Sequence, residues 1–126
     1  MADERKKIVY IEDEPDMIAL AESILGRKKF EVTGAVGGRK GLETVRRIKP
    51  DLVLLDLMMP DIDGWEVYKQ MKADEELKDI PVIIVTAKSQ PIDEFLAVNV
   101  AEVDGYVTKP FGLKKFVQSV EQVLGD

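Results

Sequence analysis

Short apolar runs occur at five places along the chain and predict the strands of a β-sheet. Four of them are clear and a fifth, Gly105–Thr108, is weaker; the clear runs are Ile8–Ile11, Phe30–Val36, Leu52–Leu55 and Val82–Val85. They are rich in Val, Ile and Leu and are bounded by turn residues or charges. Except in the second and fifth runs, every position is apolar, which is typical of parallel strands that are buried on both faces.

Between these runs the apolar residues recur every three or four positions, as in amphipathic helices. The first helix is expected to end with Gly26 as its cap, and the second to stop before Pro50. Asp63-Gly64 predicts the start of the third helix and Ser89-Gln90-Pro91 that of the fourth. The helical stripes are Met17, Leu20, Ala21, Ile24 and Leu25; Leu42, Val45 and Ile48; Val67, Tyr68 and Met71; and Leu113, Phe116, Val117, Val120 and Leu124. Strict alternation of strand and helix predicts one doubly wound α/β domain over residues 1–126, with right-handed crossovers.

Composition restricts the chemistry of this domain. The 126 residues include 18 Lys and Arg, 24 Asp and Glu, no His and no Cys, for a formal net charge of −6. Disulfides, thiol nucleophiles, Ser-His-Asp triads and imidazole or thiolate metal sites are therefore excluded. Oxygen ligands favour a hard cation such as Mg²⁺ or Ca²⁺, and the acidic balance argues against sequence-independent nucleic-acid binding. No stretch has the length of a signal peptide or a membrane span, so a cytoplasmic protein is expected.

Polar residues that could bind a ligand or take part in a reaction follow four of the five predicted strands. Glu12 and Asp13 follow the first strand, Asp56 ends the third, Thr86 follows the fourth and Lys109 the fifth. Ligands of open α/β sheets bind beyond the carboxyl ends of the strands, so these side chains are expected to share one site.

These residue types suit phosphoryl chemistry on a carboxylate. Two like charges about 4 Å apart repel by roughly 4 kcal/mol at an effective dielectric near 20, so the acids need a cation between them. Mg²⁺ takes one or two carboxylates and keeps open positions that can accept phosphoryl oxygens. Asp56 would act as the nucleophile, while Lys109 and the Thr86 hydroxyl would stabilise the transferred group. Ala87 is small enough to leave access to the carboxylate.

Five strings at these spacings resemble the receiver domain of two-component response regulators. They are Ile-Glu-Asp-Glu-Pro (11–15), Asp-Leu-Val-Leu-Leu-Asp (51–56), Met-Pro-Asp-Ile-Asp-Gly (59–64), Val-Thr-Ala-Lys (85–88) and Thr-Lys-Pro-Phe (108–111). The resemblance covers essentially the whole chain. It implies a flavodoxin-like (βα)5 fold, a five-stranded parallel sheet in the order 2-1-3-4-5 with helices on both faces; a chemotaxis receiver is the standard example of this order.

The resemblance also implies a role for each site residue. Asp56 is similar to the phosphoacceptor that takes a phosphoryl group from a sensor histidine kinase or a histidine phosphotransfer protein. Thr86 and Lys109 are similar to the pair that senses the phosphoryl group. The implied Mg²⁺ ligands are Glu12, Asp13, Asp56 and the backbone carbonyl of Met58.

The implied output is a conformational switch. Phosphorylation would draw Thr86 inward and let Tyr106 rotate. This movement would change the face formed by the fourth helix, fifth strand and fifth helix, and with it the affinity of that face for a downstream protein. The sequence does not specify which protein binds there. A cis peptide is expected between Lys109 and Pro110. No output domain is expected in this chain.

Three departures from the family pattern carry further expectations. Glu12 is one methylene longer than the usual Asp, so the ion is expected to sit at a slightly different position or to be bound through water. Glu102-Val103 replaces the usual Gly-Ala, which removes an easy left-handed cap at the end of the fourth helix. Met58 cannot orient an attacking water, which predicts slow loss of the phosphoryl group; Lys88 is the second position that influences this lifetime.

Other interpretations stay open at this point. An aspartyl-phosphate hydrolase of the haloacid-dehalogenase type needs a second acid two residues after the nucleophile, where Met58 stands. A receiver-like domain that binds partners without phosphorylation would not need the acid, Thr and Lys set. Asp61-Ile-Asp63-Gly64 is interpreted as a turn and helix cap rather than a calcium loop, and Gly37-Gly38 lacks the surroundings of a phosphate loop.

Overall fold

The computed structural model describes residues 5–87, 101–109 and 112–125, and within them it contains a five-stranded parallel sheet. The sheet order is β2-β1-β3-β4-β5, with β1 (Lys6–Glu12), β2 (Phe30–Val36), β3 (Leu52–Leu55), β4 (Val82–Thr86) and β5 (Gly105–Thr108). The described helices are α1 (Pro15–Gly26), α2 (Gly38–Ile48), α3 (Gly64–Ala73) and α4 (Leu113–Leu124). Because the fourth predicted helix lies in residues 88–100, outside the described part, α4 corresponds to the fifth predicted one. The flavodoxin-like order is confirmed.

The sheet is covered on both faces, as the continuously apolar strands predict. Alternate residues of β1 enter different clusters, since successive side chains of a strand point to opposite faces. Val9 and Ile11 pack with α2 and α3, whereas Ile8 and Tyr10 pack with α1 and α4. None of the described helices has the length and apolarity that a bilayer crossing requires.

The helix ends agree with the sequence prediction except at α1. Asp63 caps α3 by accepting a hydrogen bond from the Glu66 N–H at 3.0 Å. Helix α2 ends before Pro50, at the left-handed cap Lys49. The prediction of Gly26 as the cap of α1 is wrong: Gly26 is the last helical residue and Arg27 is the cap. The chain continues in a right-handed turn, with Arg27 at φ −78°, so no left-handed glycine is required there.

The segment before β5 also differs from expectation. Losing glycine at position 102 was expected to remove a left-handed conformation, yet Glu102 itself adopts φ 59°. Non-glycine residues reach this region at a steric cost of roughly 1–2 kcal/mol. The left-handed conformation at position 102 is therefore adopted without glycine. The end of the preceding predicted helix lies outside the described residues.

Strand boundaries place the functional residues at one edge of the sheet. Glu12 is the last residue of β1 and pairs in register with Val36, and Thr86 is the last residue of β4 and pairs with Thr108. Asp56 follows β3 directly, and its N–H donates a hydrogen bond to the Ile11 carbonyl at 3.0 Å.

Candidate functional site

Three carboxylates converge at the carboxyl edge of the sheet. Glu12, Asp13 and Asp56 each offer an oxygen, and these oxygens lie within 4.8 Å of one another. Glu12 has no exposed surface and Asp56 has 2%, whereas Asp13 is half-buried. Buried carboxylates this close are unfavourable unless positive charge or hydrogen-bond donors surround them.

Lys109 supplies the positive charge from the end of β5. Its Nζ lies 2.7 Å from Glu12 Oε1 and 3.4 Å from Asp56 Oδ2, and only 9% of its side chain is exposed. The backbone holds this residue in place, because the Lys109 N–H donates to the Thr86 carbonyl at 2.7 Å. The ammonium group is thus fixed between the two buried acids.

The carboxylate of Asp56 is oriented by the residues that follow it. Its Oδ1 accepts a hydrogen bond from the Met58 N–H at 3.1 Å. Gly64 then brings the start of α3 against this turn: a methyl group at Gly64 would overlap the Asp56 carbonyl oxygen and come within 2.6 Å of the Leu57 Cα. Glycine at position 64 therefore lets α3 approach the backbone of Asp56 and Leu57 this closely.

Burial and neighbouring charges change the acidity of the two central groups. Burial and the charge of Glu12 raise the pKa of Asp56 to about 6, although the Met58 N–H and the charge of Lys109 oppose this. Burial lowers the pKa of Lys109, but the hydrogen bond that its ammonium group donates to Glu12 and the charges of Asp56 and Glu12 outweigh this effect and raise the pKa above its ordinary value. At neutral pH, Asp56 is consequently largely ionised and Lys109 is a cation.

Two buried hydroxyls have no hydrogen-bond partner among the described residues. The Thr86 side chain is 1% exposed, and its Oγ1 is unpaired. The Tyr106 hydroxyl is likewise buried without a partner, and its ring packs on the cluster shared with α2 and α3. Since a buried, unsatisfied hydroxyl is costly, the Thr86 hydroxyl at the end of β4 is a free donor for a ligand oxygen.

The acidic cluster fits a divalent cation of the Mg²⁺ type. Three carboxylates against one ammonium group leave two uncompensated negative charges. All the donors are oxygens, which is the ligand type that Mg²⁺ prefers. The half-buried Asp13 keeps one side of the cluster accessible, so the ion could retain water ligands there.

Asp61 stabilises the loop that leads from Asp56 to α3. Its Oδ1 and Oδ2 accept hydrogen bonds from the N–H groups of Gly38 and Arg39, both at 3.0 Å. These bonds hold the pKa of Asp61 below its ordinary value, and the bond from the Arg39 N–H has the larger effect. The interpretation of Asp61-Ile-Asp63-Gly64 as a turn and helix cap is confirmed, because Asp63 caps α3, and Asp61 in addition caps the start of α2. The same contact shows that the Gly37-Gly38 helix start is already bound to a protein carboxylate.

The structure thus brings together five of the residues that the sequence singled out: Glu12, Asp13, Asp56, Lys109 and, at the neighbouring strand end, Thr86. Pro110 and Lys88 lie outside the described residues, so the cis peptide between Lys109 and Pro110 stays a prediction. The Met58 carbonyl as a metal ligand also stays a prediction. Sequence reasoning missed Tyr10, whose hydroxyl donates to Glu12 Oε1 at 2.7 Å. The signal was present: residues two apart on a strand point to the same face.

Comparison with known proteins agrees with the fold. The family model of the response regulator receiver domain matches residues 8–121. The polar-differentiation response regulator DivK of Brucella ovis is 32% identical over 121 residues, which cover 96% of this chain and 98% of the relative.

Two solved structures extend the comparison. The N-terminal domain of a response regulator receiver protein from Methanoculleus marisnigri JR1 has a TM-score of 0.76 and 31% identity, covering 96% of this chain and 98% of that one. The BeF3-activated N-terminal receiver domain of Klebsiella pneumoniae RstA has a TM-score of 0.84 and 26% identity, covering 95% and 99%. The chain belongs to the response regulator receiver domain family.

Proposed function

We propose that this chain is a phosphorylation-dependent signalling receiver that accepts a phosphoryl group on Asp56. The observation that carries the proposal is the buried Asp56 carboxylate, which lies between an acidic cluster and Lys109, beside a strand end with the unpaired Thr86 hydroxyl. Each group matches a need of phosphoryl transfer: a nucleophile, positive charge and a hydrogen-bond donor.

The proposed donor is the phosphohistidine of a sensor histidine kinase or a histidine phosphotransfer protein. An Asp56 oxygen attacks phosphorus, and the P–O bond forms as the P–N bond breaks. The electron pair of that bond goes to the imidazole nitrogen, which takes a proton from solvent. Lys109, already 3.4 Å from Asp56 Oδ2, neutralises the transferred oxygens, and the Thr86 hydroxyl donates to one of them.

Asp13, Asp56 and the Met58 carbonyl would hold Mg²⁺ beside the nucleophile, with Glu12 contributing directly or through water. When bound, the ion supplies positive charge to the phosphoryl oxygens. Asp56 must be ionised both to attack and to bind the ion, which its pKa of about 6 permits at neutral pH. Met58 offers no group that could activate water, so the aspartyl phosphate should be lost slowly, over much longer than seconds.

The proposed output lies on the β5 and α4 side of the site. Engagement of Thr86 by the phosphoryl group would free space for the Tyr106 ring, which moves the surface of β5, α4 and the predicted fourth helix. A downstream protein of unspecified identity would bind this surface. Because the kinase needs cellular ATP, we expect the chain to act in the cytoplasm, as a signalling domain rather than an enzyme.

The test uses acetyl phosphate as a small donor, with Mg²⁺, and intact-mass spectrometry. The wild type should gain one phosphoryl group and Asp56→Asn none. Asp51→Asn is the matched control, because Asp51 lies at the opposite end of β3, where its carboxylate accepts the Lys7 N–H. It should be phosphorylated like the wild type. Equal uptake by the Asp56 variant would contradict the proposal, and multiple turnovers of p-nitrophenyl phosphate would favour a phosphatase instead.

A further inference from the structure

Tyr10 is a fully buried strand residue whose polar end reaches the acidic cluster. Its ring packs among the residues between the sheet, α1 and α4. Its hydroxyl donates a hydrogen bond to Glu12 Oε1 at 2.7 Å. A buried tyrosine hydroxyl needs a partner, and here the partner is a site carboxylate rather than a backbone carbonyl.

The same Glu12 oxygen also binds the site lysine. Lys109 Nζ lies 2.7 Å from Oε1, while the Glu14 N–H donates to Oε2 at 3.3 Å. Both carboxylate oxygens of Glu12 are therefore engaged by protein donors. Asp13 is half-buried and has no comparable donors among the described residues, so it is better placed to contact an ion directly.

We propose that Tyr10 is a positioning residue that acts through Glu12 on Lys109. The tyrosine hydroxyl fixes the Glu12 carboxylate, and the fixed carboxylate keeps the lysine ammonium group beside Asp56. Glu12 then serves as the lysine's counterion, and Asp13 and Asp56 hold the ion directly. The consequence for phosphoryl transfer rests on the proposed function; the effect on Lys109 does not.

Geometry supports the direction of this coupling. Glu has one more rotatable bond than Asp, so its carboxylate needs an additional restraint to stay in one place. Hydrogen bonds to a buried charged group are stronger than those between neutral groups. Without the Tyr10 hydroxyl, only the longer bond from the Glu14 N–H would restrain the Glu12 carboxylate independently of Lys109, which weakens the contact that lies nearest to the Lys109 Nζ.

The first experiment measures the reactivity of Lys109 without metal or phosphodonor. Reductive methylation, quantified for the Lys109 peptide by mass spectrometry, should be severalfold faster in Tyr10→Phe than in the wild type. Tyr68→Phe is the matched control: it also removes one buried tyrosine hydroxyl, which donates to the Ala101 carbonyl at 2.7 Å, away from the acidic cluster. Urea unfolding of both variants checks that their stabilities fall by a similar amount.

A double variant tests whether Tyr10 acts through Glu12. Glu12→Gln should itself raise the methylation rate of Lys109, and adding Tyr10→Phe to it should raise the rate no further. Additive effects would overturn the proposal, as would an unchanged rate in Tyr10→Phe alone.

The second experiment separates metal binding from phosphoryl uptake. Tyr10→Phe should bind Mg²⁺ as the wild type does by titration calorimetry, yet take a phosphoryl group from acetyl phosphate about tenfold more slowly at saturating Mg²⁺. A parallel loss of Mg²⁺ affinity would overturn the proposal, because Glu12 would then be a direct ligand. If the wild type takes no phosphoryl group while Lys109 reactivity still rises in Tyr10→Phe, the proposed function fails and the positioning role stands.

Discussion

At the scale of single residues, the chemistry of this domain depends on polar groups that are buried at strand ends. Glu12, Asp56 and Thr86 have almost no exposed surface. Polar burial is unfavourable unless each group finds a partner. Glu12 and Asp56 find Lys109, whereas the Thr86 hydroxyl has no partner in the described part of the chain. The Thr86 hydroxyl is therefore the group of these three that remains without a hydrogen bond among the residues that the structure describes.

Glu102 offers a test of local backbone strain. Because it adopts φ 59° with a side chain, Glu102→Gly should increase the free energy of unfolding by about 0.5–1 kcal/mol. Arg27→Gly is the control, since Arg27 has φ −78° and glycine there should decrease stability by a similar amount through chain entropy. Urea titrations at neutral pH measure both. Equal destabilisation by the two glycines would show that Glu102 is not strained.

The sequence predicts single residues well where the chemistry is local to a strand end. Asp56, Thr86 and Lys109 each follow a recognisable strand, and parallel strands bring their carboxyl ends together. Tyr10 was harder to find, because an aromatic residue in an apolar strand is normally part of the core. Its role depends on where the Glu12 oxygen lies in the fold, which a one-dimensional pattern does not specify.

At the scale of elements, the loop from Asp56 to α3 is held at three points. The Gly64 N–H donates to the Leu57 carbonyl at 2.9 Å, Asp63 caps α3, and Asp61 caps α2. This arrangement links the turn that carries Asp56 to two helices. Loop rigidity here would preorganise Asp56 and the Met58 N–H for the proposed phosphoryl transfer.

Asp61→Ala should therefore weaken the fold and the site together. Loss of a helix cap lowers the free energy of unfolding by about 1–2 kcal/mol, and Asp61→Asn, which keeps one acceptor oxygen, should lose less. The pKa of Asp61 is lowered by folding, so its contribution is present at neutral pH and is lost as the pH falls through the folded value. Urea titrations at pH 7 and pH 3 measure this. A difference between wild type and Asp61→Ala that is undiminished at pH 3 would contradict the charged cap.

The boundaries of the strands and helices show where a sequence pattern is enough to predict the structure. The apolar run Leu52–Leu55 predicts the bounds of β3 as they are, whereas β1 and β4 extend beyond their apolar runs, to Lys6–Glu12 and Val82–Thr86. The end of α1 was not predicted correctly, since the choice between a left-handed glycine and a further right-handed turn depends on packing rather than on composition. The string from Asp61 to Gly64 predicts the cap of α3 but not the second role of Asp61 at the start of α2, because those partners are 22–23 residues away in sequence.

At the scale of the whole molecule, the acidic cluster opposes folding until a cation enters it. The net charge of −6 adds to the repulsion among Glu12, Asp13 and Asp56. Lys109 compensates part of this charge. Stability and metal binding are thus linked, and a cation that binds the folded state alone stabilises it by mass action.

Asp56→Asn should accordingly stabilise the metal-free protein at high pH. The folded pKa of Asp56, about 6, lies above the ordinary value of 3.8, so the group's contribution to stability is fully present below pH 3.8 and is lost as the pH rises through 6. At pH 8 the variant should be more stable by roughly 1–3 kcal/mol, and the difference should shrink towards pH 4.

Thermal unfolding from pH 4 to pH 8, with EDTA or with Mg²⁺, measures this dependence. Mg²⁺ should raise the melting temperature of the wild type at pH 8 and leave that of Asp56→Asn nearly unchanged. A wild type that is more stable than Asp56→Asn at pH 8 in EDTA would contradict the assignment of an unfavourable buried charge.

The most direct test of the central claim identifies the residue that carries the phosphoryl group. The wild type is treated with acetyl phosphate and Mg²⁺, then with borohydride, which reduces an aspartyl phosphate to homoserine, and the peptides are sequenced by mass spectrometry. We predict homoserine at position 56 and at no other aspartate. Homoserine at position 13, or none at any position although Mg²⁺ binds, would contradict the account.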